Sequence, residues 1–141
     1  MSQPELKSFA PLHLLVVEDD PMTQEILQIH YSAMGFSVAV AANGGLALQA
    51  MEAQKPDLVI CDRVMPAMSG AELLDAVRKR GAIWADVLFV FLTALTDRRD
   101  HYAMLSLHPD AYLHKPIMFD EADRKLAQLL HKKRNPPPPP A

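Results

Sequence analysis

Short apolar runs without alternation recur along the chain, each ended by polar residues, and between them apolar positions return at helical intervals. Leu14, Leu15, Val16 and Val17 form the first run. A strand apolar on both faces is expected of a parallel sheet covered by helices on each side. Glu18, Asp19 and Asp20 end it. Asp20 can cap a helix, Pro21 suits its first turn, and Met22, Ile26, Ile29 and Ala33 recur at helical spacing as far as Gly35. The unit then repeats in type: residues 37–41 predict a weaker strand, 45–54 a helix stopped by Pro56, and 58–61 a third strand. Ser69 and Glu72 have the spacing of a capping box, opening a helix through Leu73, Leu74 and Val77 that Gly81 can close in a left-handed conformation. Residues 87–92 predict a fourth strand, 97–107 a short fourth helix with a weak apolar period, and 111–113 a fifth strand. Phe119, Ala122, Leu126, Leu129 and Leu130 mark the core face of a final helix that runs into Lys132, Lys133 and Arg134.

Five strands alternating with five helices predict an α/β fold: right-handed crossovers, a five-stranded parallel sheet of order 2-1-3-4-5, and helices on both faces in the doubly wound manner. Residues 1–11 show no period and read as a loose lead-in, 12–134 as the folded domain, and 135–141 as a proline-rich tail. Pro136 to Pro140 cannot continue a helix and predict a polyproline II spacer in preference to a ligand for a groove that reads proline.

Composition narrows the function. The chain has 141 residues, Lys and Arg numbering 14 against 17 Asp and Glu, for a formal charge of −3, which gives no general attraction to nucleic acid. Half the residues are hydrophobic and 22% are charged, as in a globular domain. Cys61 is the single cysteine, so no internal disulfide can form, and a reducing cytoplasm is the expected location. No apolar stretch approaches the roughly 18 residues of a membrane span, and no membrane partner is expected.

In an open doubly wound sheet, ligands bind beyond the carboxyl ends of the strands, where the strand order reverses. Glu18 and Asp19 end the first strand, Asp62 the third, Thr93 the fourth and Lys115 the fifth. The topology therefore gathers three carboxylates, a hydroxyl and an amine in one crevice. Two unit charges about 4 Å apart at an effective dielectric near 20 repel by roughly 4 kcal/mol, so something must neutralise the acids. A hard divalent cation suits oxygen ligands of this kind, and magnesium is the expected cofactor. A threonine and a lysine aimed at the same point add what a phosphoryl group needs, one hydrogen-bond donor and one positive charge.

The run LLVVEDDP, the segment PDLVICDRVMPAMSG, the strand end FVFLTA and the segment AYLHKPI together resemble the receiver domain of two-component response regulators, over residues 12–131. Thr93 falls 31 residues beyond Asp62, and Lys115 falls 22 beyond Thr93. The resemblance implies a flavodoxin-like (βα)5 fold and a signalling domain, not an enzyme with turnover of its own. By it, Asp62 is the acceptor that takes a phosphoryl group from a sensor histidine kinase or a histidine phosphotransfer protein. Asp19, Asp62 and the backbone carbonyl of Val64 would hold magnesium, with Glu18 acting directly or through water. Thr93 and Lys115 would contact the phosphoryl group, beside the small Ala94. Tyr112 matches the aromatic that turns inward with the threonine, and Pro116 the proline that often follows a cis peptide. The readout face would be the predicted fourth helix, the fifth strand and the final helix, and a homodimer, if one forms, would use the same face.

Some positions depart from that pattern. Glu18 replaces the commoner aspartate, and SLHPDAYL lacks the glycine-containing turn before the fifth strand. Val64 and Leu95 are apolar two residues after the acceptor and the threonine, which predicts slow self-dephosphorylation. Blander readings stand beside these: Tyr112 as a half-buried aromatic at a sheet edge, Cys61 as a small core residue, Met65 and Met68 as packing over the site, Arg63 as a solvent-facing neighbour of the acceptor, and the six histidines as residues without chemistry. Two rival functions are a magnesium-dependent phosphatase of the haloacid dehalogenase type, whose Asp-x-Asp signature is absent, and a receiver-like interaction module that is never phosphorylated.

Overall fold

In a computed structural model of the chain, which describes residues 4–63, 68–94 and 108–135, five parallel strands form one sheet of order β2-β1-β3-β4-β5. The strands are β1 (His13–Val17), β2 (Ser37–Ala41), β3 (Leu58–Asp62), β4 (Leu88–Ala94) and β5 (Ala111–Lys115). The helices are α1 (Pro21–Ala33), α2 (Gly44–Ala53), α3 (Gly70–Lys79) and α4 (Phe119–Arg134). The predicted helix at 97–107 and the proline run at 136–140 lie outside the described residues.

Successive side chains of a strand point to opposite faces, so the apolar runs feed two cores at once. Leu14, Val16, Leu58, Ile60, Val90 and Leu92 pack with α1 and α4 through Leu27, Tyr31, Ala122, Leu126 and Leu130. Leu15, Val17, Val59, Cys61, Phe89 and Phe91 pack with α2 and α3 through Ala47, Met51, Leu73, Leu74 and Val77. Full burial of one such Leu, Ile or Phe stabilises by about 1.5–3 kcal/mol, so these apolar runs supply much of what holds the sheet to its helices.

The local signals act as their chemistry predicts. Asp20 accepts from the Thr23 N–H at 3.1 Å at the start of α1, and Ser69 accepts from the Glu72 N–H at 3.2 Å at the start of α3. Asn43 caps α2 in the same way. Gly81 follows α3 with φ +64, a conformation that costs a side chain roughly 1–2 kcal/mol.

The structure refines one expectation and corrects another. Met22, Ile26 and Ile29, whose spacing predicts α1, are 70%, 47% and 62% exposed, and the helix is seated by Leu27 and Tyr31 instead. The helical period is genuine, but the stripe that meets the sheet is a different one, which packs with Leu14, Val16, Leu58 and Ile60. The lead-in is also not loose. Leu6–Phe9 forms a 3-10 turn whose Leu6 and Phe9 are buried against α4, and Arg134 lies over the Phe9 ring at 4.7 Å.

Candidate functional site

The register carries the polar strand ends to one rim of the sheet. Val17 of β1 pairs with Cys61 of β3, so Glu18 and Asp62, each one residue further on, stand side by side where the strand order reverses. Asp62 pairs with Leu92, which places Thr93 one step beyond it, and Ala94 pairs with Lys115. One oxygen each from Glu18, Asp19 and Asp62 can be chosen so that all three lie within 4.8 Å of one another.

Burial and charge divide the work among them. Glu18 is 1% exposed, and it accepts from the Asp20 N–H at 3.3 Å on one oxygen and from the Lys115 Nζ at 3.4 Å on the other. Lys115 also reaches Asp62 Oδ2 at 3.2 Å. Burial, then the Asp62 charge, push the Glu18 carboxyl from its ordinary 4.5 up to about 7, with Lys115 opposing. Burial works against the charge on Lys115, but Asp62 and Glu18 outweigh it and hold the ammonium pKa above its ordinary value. Among the described residues, the partly exposed Lys115 thus bridges Glu18 and Asp62, while Asp19 beside them is open to solvent. A cluster of three carboxylates with surplus negative charge fits a hard divalent ion such as magnesium, and fits it better than any apolar or sulfur-seeking ligand.

Supporting groups hold this arrangement. Gln24 on α1 donates through Nε2 to the Glu18 carbonyl at 3.1 Å, and the Glu18 N–H bonds to Ala41 of β2. Gly70 opens α3 so close to the end of β3 that a Cβ there would lie 2.8 Å from the Asp62 carbonyl oxygen and 2.9 Å from the Arg63 Cα. Neither Gln24 nor Gly70 stood out in the sequence. The glycine ending PAMSG was the available signal, since a glycine at a helix start that is not needed for φ implies a close approach.

The remaining expected residues sort as follows. Thr93 is half-buried at the rim, and Tyr112 is half-buried on β5 with its ring 6.2 Å from that of Phe91. The Lys115–Pro116 peptide is cis. Cys61 is fully buried, and its thiol is pushed far up by burial and then by Asp62 and Glu18, as suits a core residue. Met68 packs on the core beside α2. Arg63 departs from expectation: it is 8% exposed, and its backbone is fixed on both sides, the N–H bonding to the Leu92 carbonyl and the carbonyl accepting from the Gly70 N–H. Val64, Met65, Leu95 and His101 lie outside the described residues. Of the other histidines, His30 pairs with Asp123 at 2.7 Å between α1 and α4, and His13 meets Ser37 at 3.0 Å.

Known proteins agree with this geometry. The family described as the response regulator receiver domain matches residues 14–127. The TorCAD operon transcriptional regulatory protein TorR of Escherichia coli (strain K12) is 32% identical over 120 residues, which are 85% of this chain and 50% of that protein. The chain therefore spans about half the length of the curated relatives it matches. The solved receiver domain of the TMAO respiratory system response regulator TorR superposes with a TM-score of 0.77 at 32% identity, covering 86% of this chain and 98% of that one. The receiver domain of the sensor histidine kinase PA1611 from Pseudomonas aeruginosa PAO1 has a TM-score of 0.78 at 26% identity, over 86% of this chain and 99% of that one. It is described with a magnesium ion coordinated in its active site cleft. The chain belongs to the response regulator receiver domain family.

Proposed function

We propose that this receiver domain accepts one phosphoryl group on Asp62 from a phosphohistidine of a sensor kinase or a phosphotransfer protein. The observation that carries the assignment is the buried pair Glu18 and Asp62 bridged by Lys115 at 3.4 and 3.2 Å. Glu18, Asp19, Asp62 and the backbone carbonyl of Val64 would hold magnesium, which supplies charge neutralisation for the acids and the incoming phosphoryl group.

A carboxylate oxygen of Asp62 forms the new bond to phosphorus as the bond from phosphorus to the donor imidazole nitrogen breaks, leaving the donor histidine and an acyl phosphate. Lys115, already held against Asp62, offsets the added charge of about −1.5 to −2, and the Thr93 hydroxyl donates to a phosphoryl oxygen. Drawing Thr93 toward the phosphate moves the end of β4, and Tyr112 follows inward, which alters the face built from residues 97–107, β5 and α4. Any homodimer would form there. The apolar Val64 and Leu95 position no hydrolytic water, so the acyl phosphate decays slowly. The donor docks beside the site, where Met22, Ile26 and Ile29 on α1 and Met118 after β5 present exposed apolar surface to a helical partner. The domain works in the cytoplasm and does not itself bind nucleic acid; no helix among the described residues is long and apolar enough to cross a membrane.

Acetyl phosphate with magnesium should label the chain once, and Asp62→Asn should abolish labelling while the circular dichroism spectrum is unchanged. Undiminished labelling of the Asn variant would move the acceptor elsewhere. Sustained turnover of small phosphate esters would mark a phosphatase, and failure to bind beryllofluoride with magnesium would mark an unphosphorylated module.

A further inference from the structure

The proline run plays no part in phosphoryl transfer, yet the fold offers it a seat. At the end of α4 the amino-terminal turn crosses the helix, with Phe9 buried beneath the Arg134 guanidinium. Beside that contact lies a groove of about 240 Å3 lined by Phe9, Leu12, Asp57, Leu130, Lys133 and Arg134. Its floor is aromatic and aliphatic, and its rim carries two cations against one carboxylate. A polyproline strand has no N–H to donate and presents only rings and carbonyls, so it is recognised by an aromatic or aliphatic floor flanked by donors. The Arg134 guanidinium has five N–H donors, of which stacking on Phe9 uses none.

We propose that this groove docks the chain's own proline run, residues 136–140. Proximity selects that occupant over others. Lys133 and Arg134 line the groove, and a single residue, Asn135, separates Arg134 from the first proline. Asn135 has left the helix, with φ −125 and ψ 70, and its side-chain amide donates back to the His131 carbonyl at 3.2 Å. From there, five prolines extend about 15 Å, whereas Leu130 lies only about 6 Å back along the helix axis. A tether this short keeps the run at millimolar effective concentration, and polyproline II loses little entropy on docking. Whatever follows the run would leave the receiver in a set direction, carried by the helix that the phosphorylated site is read through. The docking itself does not depend on Asp62 being the acceptor.

The test uses the 141-residue chain at low concentration, with nuclear Overhauser contacts as the readout. Proline ring protons should contact the Phe9 ring and the methyls of Leu12 and Leu130. Leu12→Glu, at a partly exposed position remote from the site, should remove those contacts and leave acetyl phosphate labelling unchanged. Replacing residues 137–139 by glycine should shift the Leu12 and Leu130 methyls in the same way. Absence of the contacts, their persistence in Leu12→Glu, or their appearance only between differently labelled chains would each overturn the proposal, the last by giving the groove to a second copy.

Discussion

Two polar clusters interrupt the apolar interior, and they are built on opposite terms. At the strand ends, Lys115 reaches Glu18 and Asp62, Asp19 stands beside them, and the Glu18 carboxyl is driven up to about 7. Between α1 and α4, Asp123 meets His30 at 2.7 Å, the His30 ring stacks on Phe119 at 3.7 Å, and burial and then Asp123 hold the Tyr31 hydroxyl neutral. The second cluster has one acid, balanced through Oδ2 by His30, although its Oδ1 and the Tyr31 hydroxyl are buried without a hydrogen-bond partner among the described residues. The first sets three acids against one lysine among the described residues. A domain of ordinary stability, about 5–15 kcal/mol, keeps such an imbalance only at a place where something else is meant to bind. Removing a carboxylate should therefore have opposite effects in the two regions.

The largest effect is expected at Glu18. Its folded pKa is raised from 4.5 to about 7, so the folded state binds more protons than the unfolded state across that window. Its contribution is most favourable below 4.5 and is lost as pH rises through 7, on the order of 3 kcal/mol for the metal-free domain. Glu18→Gln should flatten that part of the stability curve in urea titrations from pH 4.5 to 8, and magnesium should restore stability to the parent above pH 7. A parent curve parallel to that of the Gln variant would remove the claimed imbalance. Asp123→Ala should go the other way, lowering stability by about 2 kcal/mol at neutral pH because His30 loses the carboxylate it pairs with.

Next in size is Gly70→Ala, which forces a Cβ against the Asp62 carbonyl and the Phe91 ring. It should cost about 1–2 kcal/mol and slow acetyl phosphate labelling, whereas an equally crowded site beside Asp123 would affect stability alone. The smallest effect is expected at His108, which holds φ +51 in the turn before β5. His108→Gly should change the midpoint of thermal unfolding by the equivalent of less than about 1 kcal/mol in the stabilising direction. The turn itself is kept by Asp110, whose carboxylate accepts from the Phe89 N–H at 2.7 Å and from Arg78 at 3.2 Å.

Much of this was legible in the order of residues. Apolar runs ended by acids, Asp20 and Ser69 at helix starts, and Gly81 after α3 are local signals, and local chemistry realised them. The acids, the lysine and the threonine could be named because a parallel sheet sends every strand's carboxyl end to the same side. The misreadings share one cause. Met22, Ile26 and Ile29 show that period alone does not say which stripe of a helix meets the sheet. Arg63 turned inward, and Leu6 and Phe9 found cover on α4, through partners far away in the chain.

What the sequence determined unaided was the kind of each element and the set of groups delivered to the rim, because both follow from interactions between near neighbours and from strand direction. Tertiary structure alone decided how much each charge is felt. Burial of Glu18, the reach of Lys115 to two acids, and the seating of the amino-terminal turn against α4 depend on residues dozens of positions apart, whose separation no local pattern encodes.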